Sequence, residues 1–146
     1  MKFILDTDII SFLMEKKEKR RDIVEKRIFE TQILGNEILI SAISYYEIKR
    51  GLMAVSCPVK EILFDQICQL FDIVLYDELG IFDEASRIYA NLNRIGKPID
   101  DDADILIGAL AKVKKAVLVT NNIKHFSNIQ DLELKNFCEE TLNNTS

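Results

Sequence analysis

Acidic side chains recur where short apolar segments of this sequence end. Asp6 and Asp8 follow the first such segment, Glu47 lies one helical turn past the second, and Asp104 closes a dense acidic run. Carboxylates gathered in one pocket repel each other, so they either take up protons or bind a cation. Mg²⁺ and Mn²⁺ prefer oxygen ligands, and such an ion held by Asp6, Glu47 and Asp104 would activate water and screen a phosphodiester. The spacing therefore favours a divalent-metal site.

Each acid also has a purely structural interpretation. Ser44 and Glu47 fit a capping box, in which the serine bonds the N3 amide and the glutamate reaches back. The run Asp100–Asp102 fits a solvated helix start favoured by the helix dipole. A purely structural role explains Asp104 less well, because an apolar segment follows it directly and draws it towards the buried side of the helix. It explains Asp6 least well, since a carboxylate that ends a buried strand is costly unless something pairs with it.

Alternating strands and helices are predicted to position these acids. Apolar runs predict strands at Phe3–Leu5, Ile38–Ile43, Ile73–Leu75 and Ala116–Thr120. Helices are predicted around Ile23–Phe29 with a stop at Gly35, from about Tyr45, from Pro58 to Phe71, from Phe82 to Gly96, and over Ile105–Val113. This order implies an α/β fold, a three-layer α/β/α sandwich with a mainly parallel central sheet. Ligands in such folds bind at the carboxyl ends of the strands.

Composition limits the kinds of protein that this chain can be. The 146 residues, of which 48% are hydrophobic and 29% charged, suit one globular domain over residues 1–146. The formal net charge of −5 excludes binding to nucleic acid by bulk charge alone, although it allows a local basic groove. Three widely spaced cysteines argue against a disulfide framework or a zinc site. No segment approaches the length of a membrane span, and we expect a cytoplasmic protein that does not bind membranes.

Four segments, in order, resemble the PIN-domain ribonucleases and, more narrowly, the VapC-like toxins of type II toxin–antitoxin pairs. They are Phe3–Ser11, Ile43–Gly51, Gly96–Ile99 leading to Asp104–Gly108, and Leu118–Asn122 with His125 and Phe126. The likeness runs from Lys2 to about Phe137. It implies a compact α/β/α domain that uses Mg²⁺ or Mn²⁺ to hydrolyse RNA.

The resemblance also implies partners. A cognate antitoxin is expected to bind the protein, and in this family an antitoxin tail often occupies the acidic pocket through an arginine. Family members usually form homodimers through apolar helices, and we expect the apolar stripe Ile62–Phe71 to contribute to such a dimer.

The resemblance assigns roles to individual residues. Asp6 and Asp104 match the acids that hold the metal, and Glu47 matches the helix glutamate, which is expected to bind the metal directly or through water. All three are expected to carry catalysis. Asp8 stands where such toxins often have asparagine, and it is expected to orient water from outside the ligand set. Thr120, Asn121 or Asn122 is expected to orient the metal or the phosphate by hydrogen bonding.

The sequence departs from the family pattern in two places. The stretch between Pro98 and Asp104 is one residue longer than in common versions, so Asp102 competes with Asp104 for the metal. Asn122 stands at the fourth acidic position, which lowers the ligand charge and argues against a tightly bound second metal.

Positive charge is needed to meet the RNA phosphates. Lys49 and Arg50 lie within a turn of Glu47 and are the predicted phosphate ligands. The basic run Lys16–Arg21, predicted in an early helical region, is either a solvated face or one wall of an RNA groove. His125 is predicted on a loop, as a structural or RNA-contacting residue rather than a base.

Two other functions are compatible with parts of the sequence. A haloacid-dehalogenase-like phosphatase would use Asp6 as a nucleophile and Asp8 as an acid or base, and Lys97 with the acids after it mimics the later motif of that class. Against this, Ile9 and Ile10 replace the expected Gly-Thr pattern, the chain is short, and Glu47 would have no role. The other alternative is a catalytically silent PIN scaffold that binds a protein partner.

Overall fold

The structure, a computed structural model, describes residues 1–139. Its strands are β1 (Lys2–Leu5), β2 (Glu37–Ser41), β3 (Asp72–Val74), β4 (Val117–Val119) and β5 (Leu134–Lys135). Its helices are α1 (Thr7–Leu13), α2 (Arg20–Ile33), α3 (Ala42–Val55), α4 (Pro58–Leu70), α5 (Leu79–Arg94), α6 (Asp102–Val113) and α7 (Ile123–Phe126). The prediction of one domain over residues 1–146 stays a prediction, since residues 140–146 lie outside the described residues.

The strands form one parallel sheet in the order β3-β2-β1-β4-β5. The first strand, β1, lies at the centre, between β2 and β4. Because all the strands run in the same direction, the segments that follow β1, β2 and β4 emerge at one edge of the sheet. This edge brings Asp6, Ser41 and Thr120 to the same end of the molecule.

Alternate side chains of the strands face opposite layers. Phe3 and Leu5 of β1 pack with apolar residues of α1–α4, whereas Ile4 packs with those of α5 and α6. The predicted three-layer α/β/α sandwich is therefore confirmed. No helix within residues 1–139 is both long and apolar enough to cross a membrane.

Glycine and proline mark helix ends as predicted. Gly35 follows α2 with a φ of 87°, and Gly96 follows α5 with a φ of 71°, both in the left-handed region that glycine adopts readily. Pro58 is the first residue of α4, where its missing N–H costs nothing.

The second strand and its helix differ from the prediction. The strand ends at Ser41 rather than Ile43, and α3 begins at Ala42 rather than near Tyr45. The reason is that the Ser41 hydroxyl accepts a hydrogen bond from the Ser44 amide and caps the helix. The predicted capping box is therefore wrong, because Ser44 lies inside the helix.

One helix was missed, and two other local predictions need correction. The short helix α1 directly after the first strand was not predicted, because its seven residues are fewer than the window over which a helical period can be recognised. The basic run Lys16–Arg21 is mostly non-helical, since α2 begins only at Arg20. His125 lies on the short helix α7 rather than on a loop.

The apolar stripe Ile62–Phe71 packs mainly within its own domain. Phe64, Ile67 and Phe71 are buried in the core on the α1–α4 side of the sheet. Ile62 and Leu70 remain exposed. The contribution of this stripe to a homodimer stays a prediction.

Replacing Phe64 by alanine should lower the free energy of unfolding by about 3–5 kcal/mol, because this buried ring is only 1% exposed and its loss leaves a cavity. Phe29→Ala is the matched control, since Phe29 is 63% exposed and its replacement should cost much less. Urea unfolding of both variants measures the difference. Equal losses would contradict the placement of α4 against the sheet.

Candidate active site

Asp6 is fixed by hydrogen bonds to the end of β4 and to its own neighbour Thr7. Its backbone N–H donates to the Val119 carbonyl at 2.8 Å, which ties the end of β1 to the end of β4. One carboxylate oxygen, Oδ1, accepts from the Thr7 amide at 2.8 Å, and the other, Oδ2, accepts from the Thr120 hydroxyl at 2.8 Å. Asp6 is 6% exposed and Thr120 is 0% exposed. Thr120 therefore positions Asp6 from within the buried edge.

Burial and neighbouring charge make ionisation of Asp6 costly. Its pKa is raised to about 6, first by burial and then by the charge of Asp8, against the hydrogen bonds from Thr120 and Thr7. Asp8 is held by the amides of Ile9 at 2.7 Å and Asn121 at 3.1 Å. Burial also raises the pKa of Asp8. The two acids thus form a partly buried pair whose negative charges oppose each other.

Glu47 reaches the site from α3 and is held by a hydroxyl of α1. The Thr7 hydroxyl lies 2.8 Å from Glu47 Oε1 and 2.9 Å from the hydroxyl oxygen of Ser44. Ser44 is itself buried against the capping Ser41. Thr7 was missed in the sequence analysis, although a hydroxyl residue directly after Asp6 is a signal that could have drawn attention to it.

Asp104 faces the site from the first turn of α6. Its Oδ2 lies 2.8 Å from His125 Nε2. Burial is the main cause that raises the pKa of Asp104; the His125 hydrogen bond lowers it, and the charges of Asp6 and Asp101 raise it. Asp101 is the helix cap, its side chain accepting from the Ala103 amide, and Asp102 is exposed. The structure therefore brings Asp104, not Asp102, to the acids that follow β1.

The two predicted phosphate ligands point in different directions. Lys49 Nζ lies 3.9 Å from Asp65 Oδ1, so it is directed towards α4. Arg50 is exposed beside the Tyr46 ring, 5.0 Å from its centroid. The pKa of Arg50 is raised by a hydrogen bond with Tyr46 and further by the charges of Glu47 and Asp101. Arg50 is thus an exposed cation near Glu47, on the rim of the acidic site.

The remaining predicted residues lie near the site without direct contact to Glu47 or Asp104. The Asn122 amide donates to the Thr120 hydroxyl at 3.0 Å, while Asn122 itself is exposed. In the basic run, Arg20 pairs with Glu18 and stacks on the Phe12 ring at 3.9 Å. Arg21 pairs with Glu25, so both arginines of this run are used in local ion pairs.

The acids at this edge lack a basic counter-charge. Among the ion pairs formed by the described residues, none joins a lysine or arginine to Asp6, Asp8, Glu47 or Asp104. No three His, Cys, Asp or Glu side chains within residues 1–139 stand close enough together to hold a metal ion as they are placed. Neighbouring carboxylates disfavour each other's ionisation, and a bound cation would offset this cost. Their oxygen atoms are the ligands that hard divalent ions prefer.

Comparison with known proteins places this geometry in a family. Residues 3–132 match the PIN domain family. Ribonuclease VapC1 of Haemophilus influenzae (strain R2866) is 31% identical over 134 residues, covering 91% of this chain and 96% of that protein. Ribonuclease VapC1 of Methanocaldococcus jannaschii is 34% identical over 134 residues, covering 92% of this chain and 85% of that protein.

A solved structure is also similar to this chain. A chain in the crystal structure of VapBC2 from Rickettsia felis bound to a DNA fragment from their promoter superposes with a TM-score of 0.83 at 26% identity, covering 93% of this chain and 98% of that chain. The resemblance noted in the sequence is confirmed. The ribonuclease interpretation is thereby favoured over the phosphatase alternative.

The raised pKa of Asp6 predicts a pH-dependent stability in the absence of cations. A pKa raised from 3.8 to about 6 means that the folded protein holds the proton more tightly than the unfolded chain. The resulting penalty is absent at pH values below 3.8 and complete above about 6, so stability falls as the pH rises through this window. Asp6→Asn carries no charge and should remove the part of this fall that Asp6 contributes, raising the free energy of unfolding by about 3 kcal/mol at neutral pH. The parts contributed by Asp8 and Asp104 should remain.

Urea unfolding in EDTA at several pH values between about 4 and 8 measures this effect. Asp83→Asn is the control, since Asp83 is an exposed acid of α5 away from the site. It should follow the wild-type pH profile. A profile of Asp6→Asn that also matches the wild type would show that Asp6 carries no such penalty.

Proposed function

The chain belongs to the PIN-domain family, and from this we propose that it is an endoribonuclease that hydrolyses RNA phosphodiester bonds as the toxin of a toxin–antitoxin pair. Two relatives named ribonuclease VapC1 support this activity, because each matches nearly the whole of this chain. The observation that carries the proposal is the convergence of acids without a basic partner at the carboxyl edge of the sheet. That convergence suits a hydrolase that recruits a divalent cation.

The cofactor of this proposal is Mg²⁺ or Mn²⁺, held by Asp6, Asp104 and Glu47. When bound, such an ion screens the phosphodiester charge and makes water a stronger nucleophile. The all-oxygen donor set fits these ions, and the oxygens of Asp6 keep lone pairs beyond the hydrogen bonds that they accept.

The other residues of the chain orient the acids and the substrate. Thr120 and the Thr7 amide fix Asp6, and the Thr7 hydroxyl fixes Glu47. Asp8, bound by two amides, is set to orient water beside Asp6. Arg50 on the rim provides the positive charge that attracts a phosphate of the RNA.

An antitoxin protein is the proposed partner. The similar chain from Rickettsia felis was crystallised as part of VapBC2. Because it matches nearly the whole of this chain, it supports a comparable assembly here. The acidic site would accept an arginine of such a partner, because no lysine or arginine of the described residues is paired with its acids. A homodimer remains part of the proposal.

The alternative function is a catalytically silent scaffold that binds a protein partner, and the next experiment distinguishes it from a ribonuclease.

Asp104→Asn should lower Mn²⁺-dependent cleavage of labelled RNA on the order of 100-fold or more, because it removes one charge from the cation site. Asp102→Asn is the matched control on the same helix turn, and it should cleave like the wild type, since Asp102 is exposed and it is Asp104 on which the charge of Asp6 acts. Cleavage by Asp104→Asn at the wild-type rate would contradict the proposed ligand. A wild type that cleaves no RNA with either metal would favour the scaffold.

Thr7→Val should lower the cleavage rate by about tenfold, because it removes the hydroxyl that holds Glu47 while keeping the shape of the side chain. Thr7→Ser keeps the hydroxyl and should restore most of the rate. Thr31→Val is the remote control, since the Thr31 hydroxyl bonds only a carbonyl of its own helix. Steady-state kinetics of the three variants measure the effect, and equal rates for Thr7→Val and Thr7→Ser would show that the hydroxyl has no positioning role.

A further inference from the structure

His125 contacts one of the acids of the site. It lies on α7, beyond the end of β4, with its backbone N–H bonded to the Asn122 carbonyl at 3.1 Å. Its ring packs edge-on against Phe126, with ring centroids 5.1 Å apart and an angle of 83° between the planes. Phe126 is buried, so its ring packs against one side of the imidazole from the core. Its Nε2 then meets Asp104 Oδ2 at 2.8 Å.

The direction of this hydrogen bond follows from the chemistry of the two groups. An ionised carboxylate can only accept, so Nε2 carries the hydrogen and donates it to Asp104. The contact uses Oδ2 and leaves Oδ1 of Asp104 without a partner among the hydrogen bonds of the described residues. An acid with one fixed oxygen and one free oxygen is prepared to bind a cation in a single orientation.

Hydrogen-bond donors of other kinds hold the other acids of the site. Asp6 is held by Thr7 and Thr120, and Glu47 is held by the Thr7 hydroxyl. Asp104 has no hydroxyl or amide donor of this kind within residues 1–139; its donor is the His125 ring. Without that donor, the carboxylate in the first turn of α6 would be free to change its side-chain rotamer.

We propose that His125 is a positioning residue that holds Asp104 in the orientation needed to bind a divalent cation, and that it does not act on the RNA itself. This inference rests on the proposed function, because it assumes that Asp104 is a cation ligand. Groups that hold metal ligands from outside the ligand set commonly change metal affinity by about 10–100-fold when they are replaced. The role therefore has a measurable consequence that does not depend on RNA cleavage.

Mn²⁺ binding to the metal-stripped protein, measured by calorimetry or by electron paramagnetic resonance, tests the inference. His125→Leu removes the donor and should raise the Kd for Mn²⁺ by about tenfold. His125→Gln is the matched variant, since its Nε2 lies at a similar distance along the side chain and can donate to Asp104. It should bind Mn²⁺ within about threefold of the wild type. Urea unfolding of both variants should match the wild type.

The possible outcomes distinguish failure of the His125 inference from failure of the proposed function. If His125→Leu binds Mn²⁺ as tightly as the wild type but cleaves RNA more slowly, His125 acts on the RNA and the inference is overturned. If His125→Gln binds as weakly as His125→Leu, the donated hydrogen bond is not the cause, and the inference is also overturned. If the wild type neither binds Mn²⁺ nor cleaves RNA, the proposed function fails together with it. Should His125→Leu not fold, His125→Phe keeps a ring without the donor and replaces it.

Discussion

Repulsion between carboxylates at one edge of a parallel sheet is the constraint on which the rest of the structure depends. The sheet order places β1 between β2 and β4, so the segments after these strands meet at the same edge. Asp6 is buried there beside Asp8, and no lysine or arginine of the described chain is paired with either. A fold that gathers negative charge in this way is costly by itself and becomes favourable when a cation binds.

The chain meets this constraint with neutral hydrogen-bond donors instead of cations. Hydroxyls of Thr7 and Thr120 and backbone amides hold the acids in fixed orientations without cancelling their charge. A lysine in the same place would stabilise the empty site but would compete with the metal ion. The donors therefore keep the site negative and ordered, which is the condition for binding a divalent cation and then a phosphate.

Much of this arrangement can be predicted from the sequence, because strands and buried helices have periodic apolar patterns. The pattern located four of the five strands and the acids at their ends, and it favoured Asp104 because an apolar helix follows that residue. It missed β5, which has only two residues. It did not reveal that Thr7 holds Glu47 or that His125 holds Asp104, since these partners lie 40 and 21 residues apart. Such contacts depend on how α1, α3, α6 and α7 meet around the sheet edge, and no local propensity encodes that geometry.

The central claim is that the acids at this edge form a cation site, and a crystal of the protein soaked in Mn²⁺ tests it most directly. Anomalous scattering locates manganese without reference to activity or to RNA. The account predicts an anomalous peak between the carboxylates of Asp6 and Asp104, with oxygen ligands at about 2–2.5 Å. No peak at that position in a fully soaked crystal, or a peak bound only by other residues, would contradict it.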